Sequence, residues 1–173
     1  MEVQENTDYS KEHSIDFVMK AGWLAIAKMY NTIGSAYDIT HSSGFVLINI
    51  GKYDGIPATK IAPLMGMETR SLTRMLKTLE KDGMIYKVSD PEDKRKTLIH
   101  LTPKGKEKSD IAKQGVRSFN MQLREIIPQK DVETFFSVVK KVREVVELNM
   151  MSNDIFQLVL EEAAKTNSEN KNS

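Results

Sequence analysis

The sequence predicts a mainly α-helical protein with one small β-hairpin. Three observations support this fold class. Apolar residues recur every three to five positions over most of the chain, which is typical of amphipathic helices. Two short helical segments meet at Gly66, and the period then changes to that of two short strands that flank a charged turn.

The first helix is predicted over 14–37, where the apolar positions form one stripe. Thr40 can cap a second helix, because a threonine hydroxyl accepts a hydrogen bond from the backbone of the first turn. This helix contains the apolar run 45–50 and ends in the glycine-bounded segment 51–55. We therefore expect an exposed helix followed by a shorter, more buried one.

The next two helices are short and are joined by a tight turn. One is predicted over 57–65 and ends at Gly66, where a left-handed backbone is easily adopted. The other covers 69–81 and has a leucine-rich face opposite a cationic face. Such a pair is typical of a helix-turn-helix. Pro63 lies inside the first helix, where it removes one backbone hydrogen bond and is expected to kink the turn.

A β-hairpin follows the helix pair. Residues 84–88 and 97–101 are short and rich in β-branched and apolar side chains. The charged, turn-rich connection between them predicts a projecting tip. Thr102 and Pro103 match an N-cap followed by proline at the first helical position, so a long helix should run on to Ile126.

Two more helices are predicted toward the C-terminus. Over 131–150 the apolar positions alternate between spacings of three and four, which makes a narrow seam of the kind that pairs helices, including helices of two subunits. A last amphipathic helix is expected over 155–164. The tail 165–173 is too poor in apolar residues to order itself, and the polar start 1–13 is predicted to be a flexible arm.

Charge is distributed unevenly along the chain, although the net charge is only +1. Between Glu68 and Lys106 ten cationic residues stand against six acidic ones. The cations are Arg70, Arg74, Lys77, Lys81, Lys87, Lys94, Arg95, Lys96, Lys104 and Lys106. A locally basic segment in a nearly neutral chain is expected of a surface that binds a polyanion.

Several protein classes are disfavoured by what the sequence lacks. The absence of cysteine excludes disulfides, thiolate nucleophiles and zinc sites built on sulfur. His13, His41 and His100 are scattered, so no metal site is expected. No signal-peptide core or bilayer-length apolar run is present, which predicts a cytoplasmic protein without a membrane partner. No phosphate loop or nucleophile motif is found, so we expect neither an enzyme nor a cofactor.

The helix over 69–81 presents short polar and cationic residues near its start, where a helix in the major groove meets base edges. An arginine fork can bind a guanine edge, and hydroxyls can bind bases or phosphates. The expected DNA contacts of this helix are Thr69, Arg70, Ser71, Thr73, Arg74 and Lys77. Every amphipathic helix has a polar face, so this helix alone leaves a merely solvated surface as the alternative.

The hairpin tip adds Lys94, Arg95 and Lys96. A cationic tip beside a helix-turn-helix can reach the minor groove, whose negative potential attracts arginine. Asp93 is expected to orient the Arg95 guanidinium through an ion pair. A lone charged hairpin would be interpreted as a solvated turn, but next to the helix pair DNA binding is the favoured interpretation.

These residues resemble the MarR family of bacterial winged helix-turn-helix regulators. The matching positions are Ile61, Ala62, Gly66, 71–76, 79–85, 90–95 and 101–105. The Asp-x-Arg of the hairpin, followed at the family spacing by Leu-Thr-x-x-Gly, is far more specific than a helix-turn-helix alone. The resemblance spans roughly 14–150 and implies a transcriptional regulator, most commonly a repressor.

The resemblance also implies a domain organisation. Dimerisation helices at 14–37 and 103–151 would interlock in a two-fold homodimer, and they flank a winged helix-turn-helix domain at 38–102. Two recognition helices would then enter successive major grooves of a pseudo-palindromic double-stranded DNA site. Arg95 inherits the minor-groove contact and Asp93 the role of its partner. An extra helix and tail at 152–173 exceed the family's usual length.

Many members of that family lose DNA affinity when a small, often aromatic molecule binds between the dimerisation and DNA-binding parts. By this resemblance the ligand pocket would involve Trp23, Tyr30, His41 and Phe45. Ordinary core packing is the alternative interpretation for Trp23 and Phe45. The alternative for the whole protein is a winged helix that contacts another protein without specific DNA binding.

Overall fold

The computed structural model describes the backbone of residues 14–169 and the side chains as far as Ala163. Within that range the elements are α1 (Ile15–Ser35), α2 (His41–Ile50), β1 (Ile56–Pro57), α3 (Ala58–Met65), α4 (Thr69–Lys81), β2 (Ile85–Ser89), β3 (Thr97–Leu101), α5 (Pro103–Ile126), α6 (Gln129–Ser152) and α7 (Asp154–Glu169). The predicted class, mainly α with a small β wing, is confirmed. Packing divides the chain into two compact units, Met1–Phe119 and Asn120–Ser173.

The helix boundaries follow the capping residues that the sequence indicates. The Thr40 hydroxyl accepts a hydrogen bond from the backbone of Ser43, and the Ser43 hydroxyl accepts one from the backbone of Thr40, so α2 begins with a capping box. Gly66 ends α3 in the left-handed conformation, with φ of 58°. Thr102 Oγ1 accepts from the Gly105 N–H at 3.0 Å at the start of α5. These three predictions are confirmed.

Pro63 does not interrupt α3, which continues to Met65. A proline at this place removes only the one N–H bond that would reach back four residues, to the carbonyl of Thr59. The predicted helix therefore exists, and Gly66 rather than Pro63 terminates it.

The wing contains three strands rather than two. β1 pairs with β3, and β3 pairs with β2, so the antiparallel order is β1-β3-β2. Ile56 lies opposite Ile99, and Pro57 lies opposite Leu98. Pro57 is the N-cap of α3, as the sequence predicts, and it also ends a strand that pairs across more than forty positions, which the sequence did not predict. A two-residue strand has no periodicity of its own, so only the long-range pairing defines it.

The core of the first unit lies between α2, α3, α4 and the inner face of the sheet. Leu72, Leu76 and Leu79 form the buried face of α4, with 1–4% of each residue exposed. Burial of a leucine side chain contributes about 1.5–3 kcal/mol. Three such residues on one helix fix its orientation, so its opposite face is held toward solvent.

In the second unit α6 has no buried residue.

Both helices of the second unit are longer than predicted, since α6 covers Gln129–Ser152 and α7 reaches Glu169. The prediction that the tail is irregular from 165 was wrong for 165–169. That stretch contains neither glycine nor proline, and extending an existing helix costs little. The predicted arm 1–13 and the last four residues lie outside the described range.

Two negative findings apply to the part of the chain that the structure describes. No helix there combines the length and the apolar character needed to cross a membrane. Among the same residues, no three acidic, histidine or cysteine side chains come together as metal ligands would.

Candidate nucleic-acid interface

The solvent-facing side of α4 brings together all six residues that the sequence predicts for it. Thr69, Arg70, Ser71, Thr73, Arg74 and Lys77 are exposed. The Thr73 hydroxyl donates to the carbonyl of Thr69 at 2.8 Å, so it is held close to the helix. Among the described residues, no ion pair involves Arg70, Arg74 or Lys77. Three cations on this face are therefore available to an external anion.

The hairpin tip exposes Lys94, Arg95 and Lys96 on a tightly folded turn. The Lys96 N–H donates to the carbonyl of Asp93 at 2.8 Å, and the Asp90 N–H donates to the carbonyl of Lys96 at 2.9 Å. Asp93 Oδ1 accepts from the backbone N–H of Arg95 at 3.1 Å. The tip is thus an ordered loop whose backbone is fixed by aspartate side chains and carbonyls.

The predicted ion pair between Asp93 and the Arg95 guanidinium is not formed, and this expectation was wrong. Asp93 binds the backbone of Arg95 instead, and its other oxygen pairs with Lys96 Nζ at 3.3 Å. A side chain bonding to the backbone two residues ahead is the ordinary Asx turn, a local pattern that could have been predicted. The Arg95 guanidinium has no ion pair among the described residues.

The backbone N–H of Arg95, and then Lys96, lower the pKa of the Asp93 carboxyl below its ordinary value. A folded-state pKa below the unfolded one means that the ionised carboxylate stabilises the turn. That stabilisation is present above the ordinary carboxyl pKa and is lost as pH falls through the lowered folded value. We expect amide hydrogen exchange at Arg95 to stay protected until the pH falls below the ordinary carboxyl range.

Two variants of Asp93 separate its hydrogen bond from its charge. Asp93→Asn retains an acceptor oxygen for the Arg95 N–H but loses the pair with Lys96, whereas Asp93→Ala loses both. We expect exchange protection at Arg95 to fall more in the alanine variant than in the asparagine variant. Equal protection in both variants and in the parent would show that the turn does not depend on Asp93.

Contacts that the sequence did not reveal fix the wing to the helix-turn-helix. Lys87 of β2 forms an ion pair with Glu80 of α4. The Thr102 hydroxyl donates to the carbonyl of Gly83 at 2.7 Å, and its N–H donates to the carbonyl of Met84 at 3.1 Å. Glu80 and Lys87 are seven residues apart in different elements, so no spacing rule finds them. As a result α4 and the wing hold a fixed relative position.

The four residues predicted for a ligand pocket form one aromatic cluster in the first unit. The His41 ring meets Trp23 edge-on at 4.9 Å and Phe45 at 5.1 Å, and it stacks against Tyr30 at 6.2 Å. Tyr30 also contacts Phe45, with ring centroids 6.0 Å apart. The sequence prediction therefore brought together residues that are in contact, although Trp23 remains half exposed.

A small cavity opens beside this cluster. It is bordered by Tyr30, His41 and Phe45, but not by Trp23, and its volume is about 30 Å³. That is enough for a water molecule, whereas ligand pockets typically reach about 300 Å³ or more. His41 Nε2 is buried and has no hydrogen-bond partner among residues 14–169, and burial lowers the pKa of this histidine. The cavity is thus mainly apolar, with one unsatisfied polar atom nearby.

The buried leucine face of α4, its free cations and the ordered cationic wing define a winged helix-turn-helix protein of the DNA-binding class. Comparison with known proteins gives the family. A MarR family profile matches residues 39–97. The chain is 30% identical over 141 residues to the HTH-type transcriptional regulator SarZ of Staphylococcus saprophyticus. The matched region covers 79% of this chain and 95% of SarZ. The chain belongs to the MarR family of transcriptional regulators and is not an enzyme.

Solved structures share the same fold. The Staphylococcus aureus MepR–DNA complex superposes with a TM-score of 0.73 at 18% identity, covering 79% of this chain and 99% of MepR. CouR from Rhodococcus jostii RHA1, solved with p-coumaroyl-CoA, gives a TM-score of 0.69 at 22% identity, covering 77% of this chain and 94% of CouR. At these identities the similarity establishes the fold of the chain.

Proposed function

We propose that the protein is a homodimeric repressor that binds a specific double-stranded DNA sequence. The observation that carries the proposal is the fixed pairing of two cationic surfaces. α4 and the strands of the wing share the core around Leu79 and Ile85, and the Glu80–Lys87 ion pair and the hydrogen bonds of Thr102 join them as well. A helix and a wing with a fixed backbone can contact adjacent grooves with little backbone ordering, so the main ordering cost is that of the exposed side chains.

Each cationic side chain has a proposed role at the DNA. Arg70 and Arg74 lie on the first turns of α4 and would bind base edges in the major groove, where an arginine fork recognises guanine. Lys77 lies further along the helix and would bind phosphate. Thr69 and Ser71 would donate hydroxyl hydrogen bonds to bases or phosphates, and Thr73, whose hydroxyl donates to the carbonyl of Thr69, would accept one from a base. At the wing, Lys94 and Lys96 would flank Arg95, whose free guanidinium would enter the minor groove.

The proposed homodimer is supported by helices that expose large apolar side chains in the part of the chain that the structure describes. The exposed large apolar residues of α1 are Ile15, Phe17, Val18, Met19, Trp23, Leu24 and Ile33. α6 carries the apolar seam of a pairing helix and buries no residue. Monomers rarely expose so much contiguous apolar surface, so we propose that 14–37 and 103–151 contribute dimerisation helices. The two copies of α4 would lie about 34 Å apart.

Selection of bound duplexes from a random pool tests this function. A homodimer that reads DNA should enrich a pseudo-palindrome whose half-sites are about one helical turn apart. The affinity for that duplex should fall steeply with salt, because bound cations release counterions from phosphates. A module that only contacts proteins would enrich no sequence and would bind duplex DNA no better than background.

We further propose that a small aromatic effector binds at the cluster of Trp23, Tyr30, His41 and Phe45. CouR, a member of the same fold, was solved with p-coumaroyl-CoA. The cavity of about 30 Å³ must enlarge to admit an aromatic ring, so binding should move the rings that border it.

Titration with a panel of phenolic compounds, read by Trp23 fluorescence and by DNA affinity in parallel, tests the effector. Because Trp23 is the single tryptophan, the emission comes from this one side chain, and a fixed protein concentration keeps any contribution from dimerisation constant. We expect a phenolic that shifts the emission to weaken DNA binding over the same concentration range. Emission and affinity that both stay constant across the panel would contradict this proposal.

A further inference from the structure

By the resemblance described above, the helix α7 exceeds the family's usual length, and the relatives compared leave about a fifth of this chain unmatched. SarZ is matched over 95% of its own length but over only 79% of this chain, and MepR over 99% of its length and 79% of this chain. Asn153 ends α6 in the left-handed conformation, with φ of 58°, and α7 begins at the next residue. A redirected, additional helix therefore follows α6.

The surface of α7 is apolar on more than one side. Over 155–160, five of six consecutive residues are large and apolar, and 48–60% of each is exposed. Consecutive residues on a helix point about 100° apart, so this run surrounds most of the helix. A surface helix that packs against one neighbour needs a single apolar stripe. The composition of α7 is therefore that of a helix covered on several sides.

This surface is continuous with the end of α6. Val146 and Met150 of α6 and Ile155, Phe156 and Val159 of α7 border one open groove of about 440 Å³. Ten large apolar residues between 145 and 160 are 48–86% exposed, which amounts to on the order of 1,000 Å² of apolar surface. That exceeds the patches of a few hundred Å² found on monomers and is similar in size to what one partner contributes to a stable interface, about 800 Å².

The charges of α7 disfavour a nucleic acid or an anionic membrane as its partner. By sequence, α7 has four acidic residues, Asp154, Glu161, Glu162 and Glu169, against one lysine, Lys165. Amphipathic helices that bind anionic lipid carry lysine or arginine on the polar side. An apolar protein surface is thus the partner that fits this chemistry.

We propose that α7 and the end of α6 form an added dimerisation arm, covered by the same surface of a second copy. This inference rests on the proposed homodimer. A two-fold axis places one patch against its own copy, so an apolar surface that adjoins the α6 seam is covered by extending that interface. A relative that ends before α7 would leave the surface uncovered, so the arm also favours pairing with an identical chain.

The arm is tested in the full-length protein with Phe156→Ala/Val159→Ala, since alanine keeps the helix propensity and removes apolar contact. Gln157→Ala on the same helix is the matched control. Sedimentation over a dilution series, supported by subunit exchange, measures the dissociation constant of the dimer. We expect this constant to rise at least about tenfold in the double variant and to stay within about twofold of the parent in the control.

The possible outcomes separate this inference from the proposed function. A parent that dimerises and a double variant with the same dissociation constant would overturn the arm and leave the DNA-binding homodimer intact. A parent that stays monomeric throughout would overturn both. Hydrogen exchange supplies the structural readout, because amides over 155–160 should gain protection as the protein concentration rises through the dissociation constant.

Discussion

Gly105→Ala is expected to destabilise the protein by about 3 kcal/mol or more. An alanine Cβ at this position would lie 1.9 Å from the backbone carbonyl oxygen of Met84. Neither the Met84 carbonyl nor the Gly105 backbone can shift without losing other contacts. The Met84 oxygen accepts the Thr102 N–H, and Gly105 is buried at the start of α5. In a domain of this size such a loss lowers the melting temperature by about 10 °C. Thermal and urea unfolding measure both quantities.

Gly115→Ala provides the control on the same helix. A Cβ at Gly115 meets no atom within 4 Å, and alanine is favoured over glycine in a helix interior by up to about 1 kcal/mol. This variant should be as stable as the parent or more so. If both alanine variants lost the same amount of stability, replacing a glycine of α5 would itself be destabilising. The expected clash with the Met84 carbonyl would then not be the cause.

Arg95→Ala and Arg74→Ala should each weaken binding to the selected duplex by about a hundredfold or more. A specific arginine contact contributes about 1–3 kcal/mol, and a homodimer loses it twice. Both guanidinium groups are exposed and have no ion pair among the described residues, so their removal should leave the fold unchanged. Fluorescence anisotropy at fixed salt measures the affinity, and thermal unfolding measures the fold.

Lys113→Ala is the matched control for the arginine variants. Lys113 is an exposed cation on α5 that pairs with Asp110 of the same helix at 3.0 Å and is not among the proposed DNA contacts. Its removal should change affinity less than about twofold and stability by less than about 0.5 kcal/mol. If Arg74→Ala and Arg95→Ala bind the duplex as the parent does, the proposed DNA contacts are wrong.

Local signals account for the elements that the sequence predicted well. The cap at Thr40, the left-handed end at Gly66 and the start of α5 at Pro103 each depend on a few neighbouring residues. The same is true of α4, whose leucine face repeats with helical spacing. Such features need no knowledge of distant partners, so one sequence is sufficient to place them.

Tertiary pairing accounts for what the sequence did not reveal. β1 exists only because Ile56 lies beside Ile99, and two residues carry no strand signal by themselves. The Glu80–Lys87 ion pair likewise depends on how α4 and β2 pack. The sequence prediction ended α7 too early for a local reason. Polar composition after 164 predicts an irregular tail, but extending an existing helix costs little.

The candidate site was predicted residue by residue but not in its internal contacts. The exposed side of α4 and the cationic wing tip follow from pattern and charge. Asp93 accepts from the backbone N–H of Arg95 and not from its guanidinium, because the turn geometry brings that N–H closer to the carboxylate. The string Leu-Thr-x-x-Gly also has a physical explanation, since Thr102 caps α5 and Gly105 leaves room for the carbonyl of Met84.

A single residue, Thr102, separates the last strand of the wing from α5. The Thr102 hydroxyl donates to the Gly83 carbonyl and accepts from the Gly105 N–H, and the Thr102 N–H donates to the Met84 carbonyl. These three hydrogen bonds fix the backbone of the junction. A longer connection would act as a hinge and absorb a rotation of α5. With this short connection, we expect a rotation of the first residues of α5 to move the wing with it, and in the proposed DNA complex this would change the angle at which Arg95 approaches the groove.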